Sequence, residues 1–214
     1  MRSIIFLTST SIAVCLIPWV LVGNVLAGSG KVALTTAALS CGDPNSSDVY
    51  FDCGNGTITD NRSGLTWLKD VDCLTSGLQG PSMAQKTWDR ATIEAHNLSD
   101  RVCGLTDGSR PGDWRMATIE ELQRMVADGV AMGCINPALT DATGTKCHSL
   151  NPIFMNFCGF GDNGDTYWSA TSDTGGGINT HAFVIDMYDG VVSTSIKTAH
   201  ECLWPVRLTQ GPGG

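Results

Sequence analysis

The chain has 214 residues, 42% of them hydrophobic, with 21 acidic against 13 basic side chains and a formal net charge of −8. An acidic chain without a basic run lacks the phosphate-neutralising charge that nucleic-acid binding needs, and it suits neither anionic membrane surfaces nor sulfated polysaccharides. The apolar fraction and the absence of low-complexity tracts exclude a disordered chain.

Arg2 gives a short positive start, Ile12 to Val22 is the main apolar run, and Val25-Leu26-Ala27 presents compact residues at the positions a signal peptidase reads. Residues 1–27 are therefore expected to be a signal peptide cleaved after Ala27. The rival reading is an uncleaved anchor over residues 4–26, but Ser9, Thr10, Ser11 and Pro18 interrupt that stretch. Val14 before Cys15 argues against a lipoprotein. Cleavage removes Arg2, leaving 12 basic against 21 acidic residues and a net charge near −9. It also removes Cys15, so that an odd nine cysteines become an even eight.

Those eight, Cys41, Cys53, Cys73, Cys103, Cys134, Cys147, Cys158 and Cys202, are disulfide candidates in an oxidising compartment. The expected location is secreted, periplasmic or cell surface, with no stable membrane insertion after cleavage. Zinc is not expected: there is no Cys-x-x-Cys, and Cys147-His148 has no matching pair. Eight cysteines allow on the order of a hundred pairings, which leaves connectivity open. Local pairs are preferred: Cys41 with Cys53, Cys73 with Cys103, Cys134 with Cys147, and Cys158 with Cys202 as the remainder.

Residues 28–48, rich in Gly, Ala, Ser and Thr, read as a linker or lead-in; 49–209 as one domain; and 210–214 as a flexible tail. Val49-Tyr50-Phe51 and Thr57-Ile58-Thr59 flank Gly54-Asn55-Gly56 as a hairpin, and Leu65 to Leu68 follows as a strand. The spacing of Trp88, Ala91, Ala95 and Leu98 predicts a helix over 87–98 with one apolar stripe. Thr118-Ile119-Glu120-Glu121 is a capping box that opens a second helix, with Ile119, Leu122, Met125 and Val126 facing inward. Residues 130–165 form a long Gly- and Cys-rich stretch without a period, of the kind that is functional or stapled. Tyr167 to Ala170 reads as a strand. His181 to Tyr188 and Val191 to Lys197 read as a hairpin around Asp189-Gly190, a two-residue primed turn. Pro205 in the final strand argues for an edge position or a bulge.

Several of these blocks resemble one exported bacterial family, named for the C-terminal domain of the Legionella collagen-like adhesin. The blocks are the Asp52-to-Trp67 segment, the helix around Trp88 and Ala91, Cys103 to Ser109 leading to Gly112-Asp113-Trp114-Arg115, and Glu120-Glu121-Leu122. Tyr167-Trp168-Ser169, the Asp186-to-Gly190 hairpin and Pro205-Val206-Arg207 complete the order. The resemblance covers about residues 50–208. It implies a compact α+β, C-type lectin-like domain, with two helices beside short antiparallel strands, stapled by disulfides and with its termini close together. It also implies extracytoplasmic recognition or adhesion. Met116-Ala117 departs from the family's Leu-Pro, a change confined to one turn, and no collagen-like repeat precedes the domain.

Trp67, Trp114, Trp168 and Trp204 are expected in the core rather than in a sugar-stacking platform, and Arg115 and Arg207 as internal partners for carboxylates or carbonyls. Asp162, Asn163 and Asp165 form a calcium-like cluster of short oxygen-bearing side chains, although a turn is the simpler reading; no cofactor is expected. Asp52, Asn55 and Asp60 read as turn residues. His96, His148, His181 and His200 are scattered, and no nucleophile sits in an activation motif, so no catalysis is expected. The expected activity is non-catalytic binding of a neutral glycan or a protein surface by the 130–165 loop and the Asp189-Gly190 tip, with Asp162, Asn163, Asp165 and Asp189 as ligand candidates. The oligomeric state is left open. The alternatives are a self-assembling envelope module and an enzyme of formylglycine-generating type, the latter requiring a reactive cysteine pair.

Overall fold

A computed structural model describes residues 41–42, 46–75, 85–150, 152–155, 157–158, 166–177 and 179–209. The expected leader, most of the lead-in and the tail lie outside these residues. The described chain folds into two antiparallel sheets and two helices, the expected α+β class.

The first hairpin pairs β1 (Tyr50–Asp52) with β2 (Thr57–Asp60), and β2 with β3 (Leu65–Leu68). Its turns are closed by the short polar side chains that the sequence supplies: Asp52 accepts from the Gly54 amide, Asn55 from Thr57, and Asp60 from the Arg62 amide and the Ser63 hydroxyl. Helix α1 (Trp88–Asn97) buries Ala91 and Ala95 on the predicted stripe. Strand β4 (Arg115–Met116) leads into α2 (Ile119–Ala131). There Thr118 accepts from the Glu121 amide, and Glu121 accepts from the Thr118 amide. Ile119, Leu122, Met125 and Val126 are buried, as their spacing requires.

Strands β5 (Thr166–Asp173), β6 (His181–Asp186) and β7 (Val192–Ile196) make the second sheet. Strand β8 (Pro205–Leu208) returns to the first, whose order is β1-β2-β3-β8-β4. Elements from both ends of the domain thus share a sheet. This order corrects the expectation for Pro205: β8 is interior, between β3 and β4. The proline is tolerated because it is the first residue of its strand, and the β3 ladder begins only at Val206.

The main core gathers Trp67, Trp114, Trp204, Tyr50, Phe154 and Tyr167 with the inner face of α2. A second cluster, around Trp168, Ala182, Val184 and Leu203, packs against α1. Four disulfides join Cys41–Cys53, Cys73–Cys103 and Cys134–Cys147, the three preferred local pairs, and Cys158–Cys202, the remaining one.

Candidate functional site

The four tryptophans expected in the core are each at most 1% exposed, which removes them as a sugar platform. Their indole N–H groups are mostly committed inward: Trp114 to the Ser109 hydroxyl, Trp168 to the Lys86 carbonyl and Trp204 to the Leu68 carbonyl. Both arginines partner carboxylates as expected, Arg207 in the interior and Arg115 with a side chain 43% exposed. Arg115 grips Glu121 with two bonds of 2.7 Å, and Arg207 pairs with buried Asp107. Burial alone raises the Glu121 pKa, but the Arg115 bonds and the Thr118 amide outweigh it and hold the carboxyl below its usual value.

The histidines do not converge. His181 is exposed at the start of β6. His148 is buried beneath Phe154 and Phe157, where its Nε2 accepts from the Ile153 and Phe154 amides. Burial pushes its pKa down to about 4, against the opposing pull of Asp141. A neutral acceptor holding a turn is a structural role.

The polar residues reported so far are thus committed to structure. Five of the exposed large hydrophobic side chains, Val130, Met132, Ile135, Tyr188 and Val191, stand at one junction. Helix α2 ends at Ala131 with Met132 as its C-cap, and the chain turns through Gly133 to Cys134, whose amide bonds back to Gly129 and whose sulfur is tied to Cys147. The next residues run beneath the β6–β7 tip: the Asn136 amide donates to Tyr188 and the Ala138 amide to Met187, both at 2.8 Å. The tip itself is a five-residue connection, Met187 to Val191, and not the expected two-residue primed turn. A type I′ turn needs positive φ at both central residues and a type II′ turn at the first, but of Asp189-Gly190 only the second, Gly190, has it here, at +80°. The loop is held by side chains instead, Asp186 accepting from the Tyr188 amide and Asp189 from Val191, while the Gly190 amide donates to Asp186. A Cβ on Gly190 would collide with Val130, so this tip lies flat on the end of α2.

Around the junction, Tyr188 is 46% exposed, Val191 57% and Ile135 56%, with Val130 and Met132 also open. Asp189 is exposed beside them. Neither 130–138 nor 186–191 contains a Lys or Arg. An open tyrosine ring offers a face for the C–H side of a sugar or for an apolar side chain, and nearby carboxylates and carbonyls accept from hydroxyls. The same acidic character repels polyanions.

Of the four predicted ligand residues, Asp189 stands at this junction, whereas Asp162, Asn163 and Asp165 lie outside the described residues. Tyr188, Val191, Ile135 and Val130 were not singled out from the sequence. The signal available was Tyr188, a large aromatic immediately before a turn. A family model described as the Lcl C-terminal domain matches residues 56–207. No curated protein matches the chain.

Proposed function

The chain belongs to the Lcl C-terminal domain family, and from that premise we propose that it is an exported, non-catalytic recognition or adhesion domain for a neutral glycan or a protein surface. The observation that carries this reading is the junction of the β6–β7 tip with residues 130–138. It is an exposed tyrosine–aliphatic surface without a basic residue, on backbone braced by hydrogen bonds and the Cys134–Cys147 bridge. Bracing of this kind lowers the ordering cost of binding. We read the fold as C-type lectin-like, supported by two helices flanking antiparallel sheets in which the last strand rejoins the first ones.

Four disulfides support an oxidising, extracytoplasmic location, with residues 1–27 as the signal peptide. The formylglycine-type alternative requires a thiol pair near the C-terminus; Cys202 is bonded to Cys158. The expected cofactor remains none.

The test is a glycan array and a pull-down with the purified protein, repeated with Tyr188→Ala and Asp189→Asn. The reading expects binding that Tyr188→Ala weakens at least about tenfold, the effect of losing one aromatic contact. Binding unchanged in both variants overturns the assignment of the site.

A further inference from the structure

The edges of the two sheets differ in their protection. In the five-stranded sheet the outer strands are short: β1 has three residues and carries the Asp52–Lys69 ion pair, and β4 has two. Short length and charge both blunt an edge. The outer edge of β5 is covered by Cys202, which donates to the Thr166 carbonyl and accepts from the Trp168 amide, each at 2.9 Å. Among the described residues, strand β7 has none of these devices. It ends the order β5-β6-β7, and Val191 to Ile196 contains no charge, proline or glycine.

Its register shows which backbone groups are open. Lys197 donates to Thr180 and Asp186 to Val191, so the inward-bonding positions alternate from those ends. Val192, Thr194 and Ile196 therefore aim their amides and carbonyls away from β6. Among the described residues, one of these groups has another backbone partner: the Ile196 carbonyl accepts from Ala199. Ser193 and Thr194 are exposed, and Ile196 is 48% exposed.

The strand also reads the same way in both directions. Val192-Ser193-Thr194-Ser195-Ile196 is aliphatic, Ser, Thr, Ser, aliphatic. We propose that β7 is the site at which a second copy of this chain adds edge to edge, antiparallel, about a twofold axis at Thr194. The axis sets Thr194 against its own counterpart, Ser193 against Ser195, and Val192 against Ile196. Every cross-strand pair then joins like chemistry, and the Thr–Thr pair adds side-chain hydrogen bonding. The outward groups of Thr194 bond to their counterparts, and the Val192–Ile196 pairs flank them. Two three-stranded sheets become one of six strands through an isologous contact. An unrelated peptide could use the same backbone groups, but it would not require this symmetry, which is why the occupant is a second copy. The inference goes beyond the recognition reading and does not depend on it.

Sedimentation of the full-length protein across the micromolar range tests the pairing. The wild type is expected to dimerise. Thr194→Lys and Thr194→Glu each place like charges opposite one another at the axis and weaken the dimer at least about tenfold. An equimolar mixture of the two restores it, because opposite charges then meet. A wild type that is monomeric, trimeric or larger overturns the proposal, as does a dimer that survives both substitutions or a mixture that stays monomeric. Should either variant fail to fold, hydrogen exchange on the wild type decides the matter. The Val192 and Thr194 amides must slow as concentration rises, and exchange independent of concentration overturns the pairing.

Discussion

Arg207 lies 3.2 Å from Asp107 with both side chains sealed from solvent, at 3% and 0% exposure. The guanidinium also rests 5.2 Å from the Trp114 ring, and the other Asp107 oxygen accepts from the Ser109 amide and hydroxyl. The ion pair is close without hydrogen-bond alignment, so Arg207 Nε and the facing Asp107 oxygen lack hydrogen-bond partners among the described residues. Such a pair repays little of its desolvation, yet breaking it strands a buried charge. Asp107→Asn is expected to lower stability by about 3 kcal/mol in urea unfolding. Asp107→Leu combined with Arg207→Met is expected to cost less than the two single changes added together. Strict additivity would show that the pair is not coupled.

His148 makes stability depend on pH in a narrow window. Its pKa is about 4 in the folded protein and about 6.5 in an unfolded chain. Between these values the unfolded state binds more protons, so stability rises with pH and is lost as pH falls from about 6.5 towards 4. The loss is about 2 kcal/mol after allowance for solvent screening. His148→Gln keeps an acceptor for the Ile153 and Phe154 amides but does not titrate. Its melting temperature is therefore expected to vary less between pH 5 and 6.5 than that of the wild type. Equal slopes would assign the pH dependence elsewhere.

The disulfides close loops of different length, with sequence separations of 12, 13, 30 and 44 residues. Loop-closure entropy alone makes the shortest worth about 3 kcal/mol and the longest about 4 kcal/mol. Cys158 and Cys202 are also buried in the core, at 1% and 0% exposure, so their replacement adds a packing defect. Paired Cys→Ala changes should therefore destabilise most at Cys158–Cys202 and least at Cys41–Cys53, read as denaturant midpoints at constant m. The reverse order would show that strain or unfolded-state structure dominates.

Local patterns and distant contacts were unequally readable from the amino-acid order. The helices were plain, because a stripe such as Ala91 and Ala95, or the Thr118–Glu121 box, is written within one or two turns. The β6–β7 hairpin was plain too, but its turn type was not. Asp186 and Asp189 replace the φ preference of a primed turn with side-chain hydrogen bonds, a choice two letters cannot reveal. Pro205 misled for a related reason: its strand neighbours, β3 and β4, come from residues far away in the chain. The candidate surface was least readable of all. Tyr188 and Ile135 become one surface only because the Asn136 amide reaches the Tyr188 carbonyl, and no periodicity encodes that contact.

That contact gives the last prediction, which separates the surface from the scaffold that holds it. Gly129 in α2 lies so close to Ala138 that a Cβ would overlap its carbonyl and approach the Leu139 amide nitrogen to 2.8 Å. Gly190 pairs a φ of +80° with a similar crowding against Val130. Gly129→Ala or Gly190→Ala must push the 134–138 segment or the hairpin tip outwards. Each is expected to cost about 2 kcal/mol and to weaken ligand binding as well. Tyr188→Ala removes an open ring and leaves the backbone bonds in place, so it should change stability by less than about 0.5 kcal/mol while weakening binding at least about tenfold. Thermal melts alongside binding curves distinguish the two classes. If the glycine variants bind normally at temperatures where they remain folded, the junction of tip and helix is not the surface that meets the ligand.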